Sequence, residues 1–169
     1  MMLLSIITLL FSLVWQGVMS NVLGYTSSNL SIFLTIYPLV NLLVLTPYFE
    51  NSKKNIIIVL IIGILVDIVY ANTFLLNTSI FLIVYYITKF FHFFFPYNLY
   101  TINISNLIGI FLYHILSFLF LFLIRYDNYN LMMLWKILTH SVIMTIVYTT
   151  ILYLLIEWLR KKFELKEIR

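Results

Sequence analysis

The chain contains no cysteine and very little charge. Of its 169 residues only 9% are Asp, Glu, Lys or Arg, while 63% are apolar and the mean hydropathy is +1.06. Without cysteine it can form no disulfide, thiolate nucleophile or Cys-based metal site. A soluble domain carries roughly 25% charged residues, so this chain lacks the charge to cover a water-facing surface. The composition indicates an integral membrane protein, and it offers no sign of nucleic-acid binding.

Six apolar runs are separated by polar or charged turns. No charged residue precedes Glu50, so the polar stretch 21–31 divides the first two runs. Each run approaches the roughly 20 residues that a membrane-spanning helix needs, and none alternates as a β-barrel strand does. We predict an all-α polytopic membrane protein: a compact bundle of six transmembrane helices in residues 1–157, followed by a basic cytoplasmic tail, 158–169. A re-entrant piece within residues 1–48 would reduce the count to five. The predicted spans are 2–20, 30–48, 56–70, 74–93, 102–124 and 132–157.

The distribution of basic residues predicts the orientation. With six spans, both termini lie on one side, together with eight of the ten Lys and Arg residues; Arg125 and Lys136 remain on the other. The positive-inside rule then places both termini in the cytoplasm. Trp135 and Trp158 lie 23 residues apart, or about 34 Å along a helix, which matches the spacing of two interfacial aromatic belts.

Asp67 is the most informative single residue. It lies about 11 residues into the third predicted span, roughly 16 Å from its cytoplasmic end, where a carboxylate needs a partner. Gly63 lies one turn earlier on the same face and would let a neighbouring helix approach. Two interpretations are open: a packing lock, or a carboxylate whose charge is used. We favour the lock, which predicts that Asp67→Asn is tolerated and that Asp67→Leu is not.

Other polar residues fall within the predicted spans. Depth along the helices makes His114 and His140 the candidate partners of Asp67, although a lone histidine on an apolar helix is more often a packing residue. Lys89 is expected to snorkel towards the nearer interface. Gln16, Asn41 and Asn106 are expected to form hydrogen bonds between helices. The spacing of these residues predicts no metal site, and no known catalytic motif predicts an enzyme or a cofactor.

The segment 63–89 resembles the core of the rod shape-determining protein MreD family. There a G-x-x-x-D helix, here Gly63 to Asp67, leads through a turn that includes Asn77 into a helix with a central Tyr, here Tyr85, followed by Lys89. The family usually carries glycines in that turn, whereas residues 71–77 contain none, and it often opens the second span with an R-P pair, which residues 27–30 replace here. The resemblance implies a non-enzymatic subunit of the cell-elongation complex in the bacterial inner membrane. Its implied partners are an MreC-type bitopic protein, MreB filaments, and RodA-type and penicillin-binding peptidoglycan synthases.

A second interpretation is the substrate-binding subunit of an energy-coupling-factor vitamin transporter, which is similar in size and number of spans. Those subunits usually present an Ala-x-x-x-Ala face on the first span, and Ala71 is the only alanine in this chain. An intramembrane enzyme ranks third, because no second carboxylate lies at the depth of Asp67. The resemblance therefore favours the cell-elongation subunit over the transporter.

Overall fold

A computed structural model describes residues 2–22, 35–45, 52–71, 75–123 and 131–162. The described residues form six α-helices and contain no strand, so the all-α fold class is confirmed. A single π-helical turn, Asp67–Ala71, extends the third helix. The α-helices are α1 (Met2–Val22), α2 (Tyr37–Leu45), α3 (Ser52–Val66), α4 (Leu76–Phe94), α5 (Leu99–Leu123) and α6 (Leu131–Lys162).

The predicted spans differ most from the structure at α2, which begins at Tyr37 rather than at residue 30, because the described residues 35 and 36 are not helical. Its nine residues extend about 14 Å, less than the roughly 30 Å of hydrocarbon in a bilayer.

Three further differences concern α3, α5 and α6. Helix α3 begins at Ser52 rather than near residue 56, so Lys53 and Lys54 lie in its first turn and not in a preceding loop. Helix α5 begins at Leu99, three residues before the predicted start. Helix α6 continues to Lys162, so the predicted boundary between residues 157 and 158 lies within a helix. Charged residues at helix ends do not break a helix, and this explains the first and third differences.

The start of α5 has a local explanation in Asn98 and Thr101. The Asn98 Oδ1 accepts a hydrogen bond from the Thr101 N–H at 2.9 Å, and the Thr101 Oγ1 accepts one from the Asn98 N–H at 3.1 Å. This reciprocal pair satisfies N–H groups that the first turn of a helix leaves without intrahelical partners. The chain therefore turns from α4 into α5 within Phe95–Asn98.

The shortest helix, α2, occupies the centre of the described structure. All nine of its residues are buried, and it packs against α1, α4, α5 and α6. Both ends are satisfied by side chains from other elements: Gln16 accepts a hydrogen bond from the Tyr37 N–H at 3.1 Å, and the Tyr97 hydroxyl donates to the Val44 carbonyl. A buried helix end needs such partners because water cannot reach it.

A row of hydroxyl side chains on α6 faces its neighbours. Ser141, Thr145 and Thr149 follow each other at intervals of four residues and are fully buried. The Thr145 hydroxyl lies 3.2 Å from that of Thr35, just before α2, and the Asn106 amide on α5 donates to the Thr149 hydroxyl at 3.1 Å. Small side chains at this spacing let helices approach closely, so α6 holds both α2 and α5.

Two of the described helices are long and apolar enough to cross a membrane. They are Leu99–Leu123, with a mean hydropathy of 2.1 in its best window, and Leu134–Lys162, with 1.9. A shorter apolar stretch, Ile6–Met19, lies in α1. These two helices are consistent with a membrane protein by length and composition.

Candidate functional site: a carboxylate at the start of α4

The Asp67 carboxylate accepts four hydrogen bonds from two consecutive residues. Its Oδ1 accepts the Asn77 N–H at 2.9 Å and the Asn77 side-chain amide at 3.0 Å. Its Oδ2 accepts the Thr78 N–H at 3.0 Å and the Thr78 hydroxyl at 2.7 Å. Asp67 is only 2% exposed. Because all four partners donate, the site is complementary to a carboxylate, which offers about four acceptor positions.

The donors belong to the first turn of α4, where backbone N–H groups lack intrahelical partners. The preceding residue, Leu75, has φ of 57°, a left-handed backbone conformation, and makes no side-chain cap. Asp67 therefore caps α4 from another helix. A negative charge at this position is also favoured by the partial positive charge at a helix N-terminus.

Gly63 explains how α4 comes close enough to Asp67. A Cβ atom at Gly63 would lie 2.6 Å from the Thr78 Cα and 3.0 Å from its hydroxyl oxygen. Any larger side chain would push α4 away and lengthen the hydrogen bonds to the carboxylate one turn further along. The expected close approach at Gly63 is thus confirmed, and the G-x-x-x-D spacing has a physical reason: the glycine admits the helix end that the aspartate caps.

The hydrogen bonds continue from this site to α5. The Tyr113 hydroxyl donates to the Asn77 Oδ1, and the Tyr113 ring packs edge-on against Phe81, with 5.9 Å between centroids. Asn77 is therefore a bridge: its amide nitrogen faces Asp67 and its amide oxygen faces α5. We call Gly63, Asp67, Asn77, Thr78 and Tyr113 the hairpin lock.

Asp67 lies further from the start of its helix than the 11 residues counted along the predicted third span. From Ser52 to Asp67 is 15 residues, or about 22 Å of helix, and the α-helix ends at Val66. The carboxylate thus lies where α3 ends and α4 begins. The start of α4 offers the carboxylate backbone N–H groups that lack intrahelical partners. A carboxylate that faced the middle of a neighbouring helix would need a side chain as its partner.

The four hydrogen bonds described for Asp67 involve neither histidine that depth alone had suggested. The His140 Nδ1 lies 2.7 Å from the Lys136 carbonyl oxygen on its own helix. His114 follows Tyr113 and packs against its ring at 5.5 Å, so it lies beside the hairpin lock. The first turn of α4 supplies the hydrogen bonds described for Asp67, and the pairing of Asp67 with a histidine stays a prediction.

Tyr85 and Lys89 form a separate pair on α4. The Tyr85 ring is fully buried, two turns beyond Thr78 on the same face. The Lys89 Nζ lies 5.9 Å from that ring's centroid, within reach of a cation–π interaction. The amine therefore lies near a ring one turn earlier on the same helix, and the snorkelling of Lys89 towards the nearer interface stays a prediction.

Three predicted interhelical contacts are confirmed, and two residues of the hairpin lock were missed. Gln16 bonds the start of α2, Asn41 donates to the Thr8 carbonyl at 2.6 Å, and Asn106 bonds α6. Thr78 was not among the site residues predicted from the sequence. Tyr113 had no signal, because its partner is 36 residues away.

The chemistry available at the hairpin lock is that of holding helices together. Both carboxylate oxygens are engaged by neighbouring donors, and within the described ranges no three His, Asp or Glu side chains are grouped as metal ligands.

No family model, curated protein sequence or solved structure matches the chain.

Proposed function

We propose that this protein is a non-enzymatic, membrane-embedded scaffold subunit of the bacterial cell-elongation complex, similar to MreD. It would bind an MreC-type bitopic protein and help to link MreB filaments to peptidoglycan synthases. The observation that carries the proposal is the use of the Gly63–Asp67 motif. Its aspartate serves to hold α3, α4 and α5 in a fixed arrangement, which is what a scaffold requires.

The proposal includes a bundle of six spans in the inner membrane. Its support is the outward surface of the described helices, which is largely apolar even at its most exposed positions. Ile7 on α1, Ile83 on α4, Leu119 on α5 and Ile151 on α6 are each between 46% and 57% exposed. Apolar side chains around so much of a small helical protein favour lipid as the surrounding medium.

The basic residues support the proposed orientation. Lys54 near the start of α3 and Lys161 and Lys162 at the end of α6 are exposed. In a bundle of alternating spans these helix ends lie on the same side. Lys136 is the basic residue of the opposite end within the described ranges. The positive-inside rule assigns the Lys-rich end to the cytoplasm.

One departure from the MreD pattern is the lack of glycine in residues 71–77. Within the described part of that turn, Leu75 adopts φ of 57°. Glycine is the residue that adopts this conformation without steric cost. The turn of this chain thus has the backbone shape that a glycine would suit, which supports the resemblance despite the missing residue.

Affinity purification of the full-length chain from its native membranes tests the function. We expect an MreC-type bitopic protein and elongation synthases to be enriched, and a Gly63→Leu variant, in which α4 cannot reach Asp67, to lose them. Ile143→Leu on the outward face of α6 is the control and should retain them. Recovery of transporter coupling proteins, or tight binding of thiamine, riboflavin or biotin, would instead support the vitamin-transporter alternative and refute the proposal.

A further inference from the structure

The outward face of α6 changes its chemistry in a regular order along the helix. A single exposed stripe runs at intervals of three or four residues, the spacing of one helix face. Its members are aliphatic over most of the length, then a tryptophan, then two lysines. They are Ile143, Val147, Ile151, Leu154, Trp158, Lys161 and Lys162, with a second exposed tryptophan, Trp135, at the opposite end.

The length of α6 places Lys161 and Lys162 at the depth of the lipid headgroups. Its 32 residues extend about 48 Å, more than the roughly 30 Å of hydrocarbon in a bilayer. If Trp135 and Trp158 mark the two interfaces, the four residues after Trp158 add about 6 Å. That distance matches the headgroup layer, because the bilayer with its headgroups is about 40–45 Å thick.

The charges in this last turn are not equivalent. Arg160 is paired with Glu157 at 2.7 Å, and both side chains are largely buried. The Lys162 Nζ lies 4.9 Å from the centroid of the Trp158 ring, and Lys161 is exposed. The contact of the Lys162 amine with the Trp158 ring follows the lean of helical side chains towards the N-terminus.

We propose that the last turn of α6 is a binding site for anionic phospholipid headgroups, with Lys161 and Lys162 contacting the phosphate and Trp158 anchoring the interface. The ordered stripe favours a lipid over an acidic protein, because its aliphatic and aromatic parts continue directly into the basic part. The inference rests on the membrane placement within the proposed function and is independent of the cell-elongation role.

Fluorescence quenching of the full-length protein in vesicles tests this site. Trp15→Phe and Trp135→Phe leave Trp158 as the only tryptophan. The vesicles contain phosphatidylglycerol and phosphatidylcholine in one fixed ratio, and either one or the other lipid carries bromine as the quencher. The difference between the two preparations reports which lipid is enriched beside Trp158, since the overall lipid composition is the same.

We expect stronger quenching by brominated phosphatidylglycerol. The Lys161→Gln/Lys162→Gln double variant should lower the association constant for that lipid by roughly fivefold per lysine, and high salt should lower it too. Glu157→Gln, which frees Arg160, should raise it. Lys136→Gln, at the opposite end of α6, is the matched control and should leave it unchanged.

Each contrary result has a distinct meaning. Equal quenching by the two lipids would overturn the headgroup site while leaving Trp158 in the membrane. Enrichment that survives the double variant would overturn the assignment to the lysines. If the double variant showed unchanged quenching but lost a co-purifying acidic protein, the lysines would bind a protein instead of a lipid. Absence of quenching by either lipid would overturn the membrane placement itself, which co-purification with elongation proteins tests separately.

Discussion

Asp67 shows how a single charged residue is accommodated in an apolar chain. An isolated buried carboxylate is strongly unfavourable, but hydrogen bonds to a charged group contribute about 1.5–3 kcal/mol each, and here four such bonds reach one side chain. Two come from backbone N–H groups that would otherwise lack partners. The carboxylate and the helix end therefore each remove an unfavourable feature of the other.

The geometry changes what we expect of Asp67→Asn. The asparagine nitrogen would replace an oxygen that faces two donors, one of them a backbone N–H that cannot turn around. We therefore expect Asp67→Asn to lower the free energy of unfolding by about 1–3 kcal/mol. The sequence alone had suggested instead that this substitution would be tolerated. The measurement is the thermal unfolding midpoint in detergent. An Asp67→Asn protein as stable as the parent would contradict the four-donor arrangement.

Thr78 provides a matched pair of variants that leave the Asp67 side chain itself unchanged. Thr78→Val removes the hydroxyl at nearly constant volume, whereas Thr78→Ser retains it. If Asp67 is a lock, Thr78→Val should lower the unfolding midpoint and Thr78→Ser should be close to the parent. Equal behaviour of the two variants would show that the hydroxyl hydrogen bond contributes nothing.

At the scale of helices, the contacts between elements are made where one helix ends or where a small residue stands. The α3–α4 pair meets at Gly63, both ends of α2 are satisfied by Gln16 and Tyr97, and α6 presents hydroxyls to α2 and α5. An isolated helix of nine residues, such as α2, would be marginal in water. The stability of α2 therefore depends on these specific contacts together with burial of its apolar side chains.

Gly63→Ala tests the close approach of α3 and α4. The added Cβ would meet backbone, the Thr78 Cα at 2.6 Å, so the helices must separate at a cost of about 1–3 kcal/mol. Gly17→Ala is the control for the helix propensity of alanine, because the nearest atoms to its Cβ all belong to the Tyr70 side chain, with the hydroxyl at 3.2 Å, and that side chain is 36% exposed. We expect a lower unfolding midpoint for Gly63→Ala than for Gly17→Ala, and the reverse order would refute the contact.

At the scale of the whole molecule, the surface chemistry is divided into zones. An apolar surface runs along α6 between two exposed tryptophans, and exposed lysines follow at one end. This is the division that a bilayer imposes on a protein that crosses it. The zones define a membrane axis for the proposed bundle.

Reporter fusions at residues 53 and 127 test the predicted topology. With six spans and both termini in the cytoplasm, a fusion at residue 53 should report the cytoplasm, and one at residue 127 the opposite side. The physical reason is the split of eight Lys and Arg residues against Arg125 and Lys136. Fusions that report the same side would rule out the six-span arrangement, and a fusion at residue 162 controls for the C-terminal side.

The sequence by itself determined the helical fold class, the approximate positions of the helices, and the residues Gly63 and Asp67 as a pair of interest. These follow from composition, from the length of apolar runs and from helical periodicity, all of which act locally along the chain. The polar residues Gln16, Asn41 and Asn106 were also identifiable, since an amide in an apolar helix needs a partner.

Only the tertiary structure decided which groups those partners are. Depth along separate helices placed histidines near Asp67, but hydrogen bonding depends on which helix end approaches which side chain. That approach is set by a missing Cβ at Gly63 and by the left-handed Leu75 just before α4. Tyr113 reaches Asn77 from 36 residues away, a contact with no local pattern to reveal it. Periodicity indicates which face of a helix is buried, whereas the packing of whole helices decides what that face meets.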